Sequence, residues 1–212
     1  MNIVIKKVTV VAAPVPPFVG TRIGIRLDDP ASLTWGMQNI QLASGHEKAV
    51  IEWGDGSREE VTLNGAKTHA YARAGEYEVR ISNDIAVLCC SSTVAGNVYR
   101  AVYAPCILSC RTNADALKTL YSGCFCGAVN MTAFSCEGAN VQTLAGQVFG
   151  GCSSLVGRLD FPRAERLTAS TFANDTGITE LHFAGEFEAK IRAQSGFNTG
   201  FGAVNATVSF DL

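Results

Sequence analysis

No cysteine precedes position 89, although the 212-residue chain holds eight: Cys89, Cys90, Cys106, Cys110, Cys124, Cys126, Cys136 and Cys152. That asymmetry marks a composition boundary near residues 85–90. Proline is scarce, six residues against 21 glycines, a balance that predicts many tight turns, as in all-β or repeat folds. Charged residues are only 17% of the chain, the formal net charge is −2, and no block of like charges stands out. That excludes a basic nucleic-acid footprint. The apolar run from Ile3 to Val11 is broken by Lys6 and Lys7 and is too short for a signal-peptide core or a membrane span. It reads as an N-terminal extension strand, so the chain as given is expected to carry no export signal and to insert in no membrane. Catalytic signatures are missing as well: no G-x-S-x-G elbow, phosphate loop, H-E-x-x-H or dinucleotide fingerprint. Paired carboxylates such as Glu59-Glu60 come with no pocket signal. The sequence predicts no enzyme and no cofactor.

What is present is a core-forming chain, 47% hydrophobic and therefore folded. Over residues 1–88 the pattern is strands punctuated by turns. Arg22–Leu27 and Tyr77–Ile81 alternate with period two. Ala49–Trp53 is closed by Gly54-Asp55-Gly56-Ser57, and Glu60–Leu63 by Asn64-Gly65, both hairpin signals. Short strands at this spacing predict a β-sandwich.

The order Trp53-Gly54-Asp55-Gly56, His69-Ala70-Tyr71, Gly75-Glu76-Tyr77-Glu78-Val79 resembles the PKD domain, an immunoglobulin-like sandwich, over roughly residues 20–85. The resemblance implies that Trp53, Asp55, His69, Tyr71 and Tyr77 are structural, with His69 packed near the Trp53 turn.

Beyond residue 88 a repeat appears: an aromatic anchor, a small turn-rich segment, then a strand triplet about a dozen residues on. The anchors read as Tyr121, Phe149, Phe172 and Phe197, spaced 28, 23 and 25 residues apart. The triplets are Met131–Ala133, Leu159–Phe161, Leu181–Phe183 and Val208–Phe210, with Ala116, Leu144, Leu167 and Ile191 ahead of the anchors. The clearest copy runs Leu144 to Leu155 through Phe149 and Cys152, followed by Phe161-Pro162. It resembles the BspA-type leucine-rich repeat, with its F-x-G-C-x-x-L pattern, over about residues 98–212. The expected fold is thus mainly β: a PKD-like β-sandwich over residues 1–88, then an irregular leucine-rich-repeat solenoid of about four to five coils over 89–212.

Cys124 and Cys152 fall at one repeat position and read chiefly as small buried hydrophobes. A disulfide, with Cys106 and Cys110 the better surface pair, and a zinc site are lesser readings, because paired histidines are missing. Asp55 reads as a turn cap rather than a calcium ligand, since no D-x-D-x-D loop surrounds it. No metal site is expected. The middle residues of the triplets, Thr132, Asp160, His182 and Ser209, point away from their apolar neighbours and form a polar row, the candidate binding face or else a merely solvated one.

Both resemblances imply a bacterial cell-surface or secreted protein. The expectation is a non-enzymatic binding or adhesion module that presents the repeat face to a protein or glycan. The second reading, prompted by the missing leader, is a structural, phage-particle-like component working as a homo-oligomer through the Met1–Gly20 strand.

Overall fold

A computed structural model describes residues 17–211 and is mainly β. The extension strand expected over residues 1–11 lies outside the described residues. The strands are β1 (Gly20–Leu27), β2 (Thr34–Leu42), β3 (Ala49–Glu52), β4 (Arg58–Val61), β5 (Gly65–Ala70), β6 (Gly75–Ser82) and β7 (Ile85–Cys89). After a π-helical turn at Tyr99–Tyr103 come β8 (Ile107–Thr112), β9 (Thr119–Leu120), β10 (Ala133–Ser135), β11 (Thr143–Leu144), β12 (Gly157–Phe161), β13 (Ile178–Phe183) and β14 (Thr207–Phe210). One short helix, α1 (Glu188–Arg192), precedes β14. They form three sheets, in the orders β10-β8-β1-β6-β3-β4, β11-β9-β7-β2-β5 and β12-β13-β14.

Up to β7 every strand pairing is antiparallel, and β3–β4 is a hairpin. β8 then joins β1 antiparallel, Ile23 opposite Cys110. From there each new strand lies parallel to its predecessor on the same sheet: β9 on β7, β11 on β9, β10 on β8, β13 on β12, β14 on β13. Sheet hydrogen bonding therefore crosses residue 88, because β8 to β11 extend both N-terminal sheets. Trp35 fastens the same junction, its buried indole N–H donating to the Tyr103 carbonyl at 3.0 Å. β2 occupies much of the segment between Pro30 and Ala49.

The core of the C-terminal half is a column of rings. Phe125 stacks on Phe149 at 5.5 Å and Phe149 on Phe172 at 5.2 Å, the latter pair 1° from parallel. Backbone bonds hold that spacing, Phe125 N–H to Val148 O and Phe149 N–H to Thr171 O. A second file, Phe134, Phe161, Phe183 and Phe210, steps along the strands at 5.8, 5.7 and 6.1 Å.

This packing corrects the predicted anchors. Tyr121 is 49% exposed, and Phe125, four residues on, fills its place. Phe197 is half-buried, whereas Phe201 is fully buried and its carbonyl receives the Phe172 N–H. In both segments the chain offers two aromatics four residues apart, and the second is the one a turn away from solvent. The first-copy aliphatic is likewise Leu120, aligned with Leu144, rather than Ala116.

Two residues past each of the first three anchors the backbone turns left-handed, at Gly127 (φ +82°), Gly151 (φ +76°) and Asn174 (φ +68°), the last being a non-glycine residue type that tolerates such a turn well. The next position holds Ala128, Cys152 and Asp175. So Cys152 aligns with Ala128 and not with Cys124. Asp175 places a carboxylate in an otherwise apolar column: it is fully buried and both its oxygens lack a partner. The nearest donors, the Gly151 and Cys152 amides, already bond the Ala173 and Phe149 carbonyls. Burial pushes the Asp175 carboxyl up to about 7.

All eight cysteines are free thiols; only Cys106 is half-buried and the rest, Cys110 included, are buried. The surface pair expected of Cys106 and Cys110 is therefore not on the surface. Burial pushes the thiols up, that of Cys136 to about 12, which keeps them protonated and poorly nucleophilic.

Candidate functional site

In the three-stranded sheet, side chains alternate in and out. Leu159, Phe161, Leu181 and Phe183 are buried, and the register pairs Leu159 with Leu181, Asp160 with His182, and His182 with Ser209. The row Asp160, His182, Ser209 thus exists as a line across three parallel strands, about 4.8 Å apart. Thr132 does not join it. β10 begins at Ala133, and Phe134 is the ring that meets Phe161. Thr132 is exposed before the strand, its N–H bonded to Leu108 O.

Period two along each strand adds residues that the row alone missed: Arg158 beside Asp160, Glu180 beside His182, and Asp211 beside Ser209. They form one network. Arg158 donates to Asp160 through Nε (2.9 Å) and Nη2 (2.6 Å), and its Nη1 reaches Glu180 at 3.5 Å. His182 meets Ser209 Oγ through Nδ1 at 2.9 Å and Asp211 Oδ1 through Nε2 at 2.7 Å. Ser209 also lies 2.5 Å from Glu180 Oε1.

Donor counting fixes the direction of two of these bonds. Ionised carboxylates only accept, so Nε2–H donates to Asp211 and the Ser209 hydroxyl donates to Glu180. The serine proton therefore points to the Glu180 carboxylate. The direction of the His182 Nδ1–Ser209 Oγ contact follows the protonation of the imidazole.

The face borders a groove of about 460 Å³ lined by Phe134, Ser135, Glu137, Arg158, Asp160, Pro162, His182, Ala184 and Asp211. That volume lies within the range of small-molecule pockets. Phe134, Ser135 and Glu137 come from β10 and its exit, so the groove spans from the six-stranded sheet to the three-stranded one. Its floor belongs to the core, since Phe134 packs edge-on against Phe149 at 4.8 Å.

The N-terminal motif residues converge elsewhere. His69 stacks on Trp53 at 5.0 Å and meets Tyr71 edge-on at 4.6 Å. Tyr71 donates its hydroxyl to Trp53 O at 3.0 Å and packs on Tyr77 at 4.4 Å. Asp55 accepts from the Ser57 N–H (2.9 Å) and hydroxyl and is 2.8 Å from His69 Nε2. Burial alone would push the Asp55 carboxyl up, but the Ser57 and His69 hydrogen bonds outweigh it and hold it well below the usual carboxylate range. Both carboxylate oxygens are engaged within the protein, so the geometry of Asp55 is that of a turn clamp. Among the described residues no group of three or more histidine, cysteine or acidic side chains is placed to hold a metal ion.

Comparison with family models, with curated proteins and with solved structures finds no match. The geometry carries the functional reading on its own. No helix among the described residues is long and apolar enough to cross a membrane.

Proposed function

We propose that the protein is a non-enzymatic binding or adhesion module of bacterial surface type. In this reading a PKD-like sandwich over the N-terminal strands caps a short solenoid of leucine-rich-repeat coils, and the outer face of β12–β14 contacts a protein or glycan. One observation carries it: a row of charged and polar side chains in strand register, bordering a groove whose floor is the core itself. The parallel strands and the stacked ring column support the coil reading, since one coil alone cannot bury its apolar face. The junction of β8 and β9 with the N-terminal sheets supports the capping role.

The test is binding of the immobilised full chain to a panel of extracellular-matrix proteins and glycans. Asp160→Lys combined with Asp211→Lys is expected to abolish capture of whatever the wild type retains, while Lys48→Glu, on the distant β3–β4 edge, leaves it unchanged. Exposed sites such as these tolerate substitution with little loss of stability. Equal loss in both variants, or in neither, overturns the reading.

A further inference from the structure

We infer that the groove between β10 and β13 takes a neutral oligosaccharide, an inference that rests on the binding-face reading above. The groove holds unused hydrogen-bonding capacity. Both Arg158 bonds to Asp160 fall on Oδ1, so Asp160 Oδ2 is uncommitted. His182 engages only Oδ1 of Asp211. Among the described residues the Glu137 carboxylate has no side-chain partner, and the remaining N–H groups of Arg158 and the Ser135 hydroxyl proton are available donors. The groove thus presents free acceptors and free donors from both of the sheets that line it. A hydroxyl both donates and accepts, so a vicinal diol satisfies neighbouring carboxylate and guanidinium together.

Charge narrows the class. Glu137, Asp160 and Asp211 repel an anionic ligand. A cationic one meets the guanidinium of Arg158, which also lines the groove and is bonded to Asp160. A neutral polyhydroxylated ligand meets neither penalty. The carbon faces of Phe134 and Pro162 offer an apolar strip for the C–H face of a sugar ring. Size agrees: about 460 Å³ accommodates one or two sugar rings, whereas a protein partner typically covers about 800 Å² per side. Strand spacing of about 4.8 Å matches the width of one ring.

The experiment applies the full chain to an array of neutral, sialylated and sulfated oligosaccharides, with a lysine-rich peptide as the cationic probe. Retention of neutral oligosaccharides alone is expected, and Asp160→Ala should weaken it at least tenfold with the thermal transition unchanged. The conservative Arg158→Lys should weaken it less than Arg158→Ala, since a cation remains. Capture of the anionic glycans or the peptide in place of neutral sugars overturns the inference. So does neutral-sugar binding that Asp160→Ala leaves intact. If no sugar binds but the double lysine variant still abolishes protein capture, the binding face stands and the sugar assignment falls; if neither sugar nor protein is captured, both fall.

Discussion

Replacing Asp175 by cysteine is expected to stabilise the protein by about 4 kcal/mol at pH 8, and by much less at pH 4.5. The carboxyl sits in a column whose other members are Ala128 and Cys152, fully buried and without a partner for either oxygen. The sign follows from where the proton is held. Burial raises the folded carboxyl to about 7, while an unfolded chain releases the proton near pH 4. Between those values the native state binds the proton more tightly, so wild-type stability falls as pH rises from about 4 to 7 and then levels off. The thiol in Asp175→Cys removes the carboxyl and repeats the packing of Cys152. Asp175→Asn removes the charge but leaves a buried amide unpaired, which costs about 1–3 kcal/mol, so it should recover less. Urea denaturation at the two pH values reads the difference directly. An equal gain at both, or none at pH 8, would show that the carboxylate is not the destabilising group. In thermal unfolding the pH 8 gain corresponds to roughly 8–16 °C.

Phe149→Ala should cost about 3–5 kcal/mol, a fifth or more of the stability of a typical domain, which is roughly 5–15 kcal/mol. Phe149 is fully buried and its ring meets those of Phe125, Phe134, Phe161 and Phe172. It touches two rings of the column and two of the strand-side file, so its loss opens a cavity shared by four neighbours. Tyr121→Ala is the control. Tyr121 is 49% exposed, and its removal should change stability by roughly 0.5 kcal/mol or less. Comparable losses in the two variants would place the anchor at Tyr121 after all and contradict the alignment through Phe125.

Much of this arrangement was legible in the sequence, for identifiable reasons. Period-two alternation found β1 and β6, and Asp-Gly closed β3 where the structure closes it. The triplets at Leu159, Leu181 and Val208 are strands in the expected mutual register because each carries a phenylalanine that must face the same file. The failures share a cause. Where two aromatics stand four residues apart, as with Tyr121 and Phe125 or Phe197 and Phe201, a one-dimensional pattern cannot tell which one faces inward. Thr132 missed the polar row because β10 begins one residue after it, at Ala133. β2 escaped notice because Thr34–Leu42 is buried on both sides of much of its length and so does not alternate. The groove was invisible because Glu137 and Asp160 lie in different sheets and only the fold brings them together. Arg158 and Asp211, by contrast, stood two residues from predicted members of the row, so extending period two along each strand would have reached them.

The account depends on the outer face of β12–β14 being open to ligand, and the molar mass of the full chain in solution tests that most directly. Light scattering should return a monomer of 22.4 kDa, unchanged by reductant, because all the thiols are free and seven of the eight are buried. A defined oligomer that survives reductant and dissociates on Asp160→Lys would mean that the face is already occupied by a second copy, which would contradict the ligand-binding reading and favour a structural assembly.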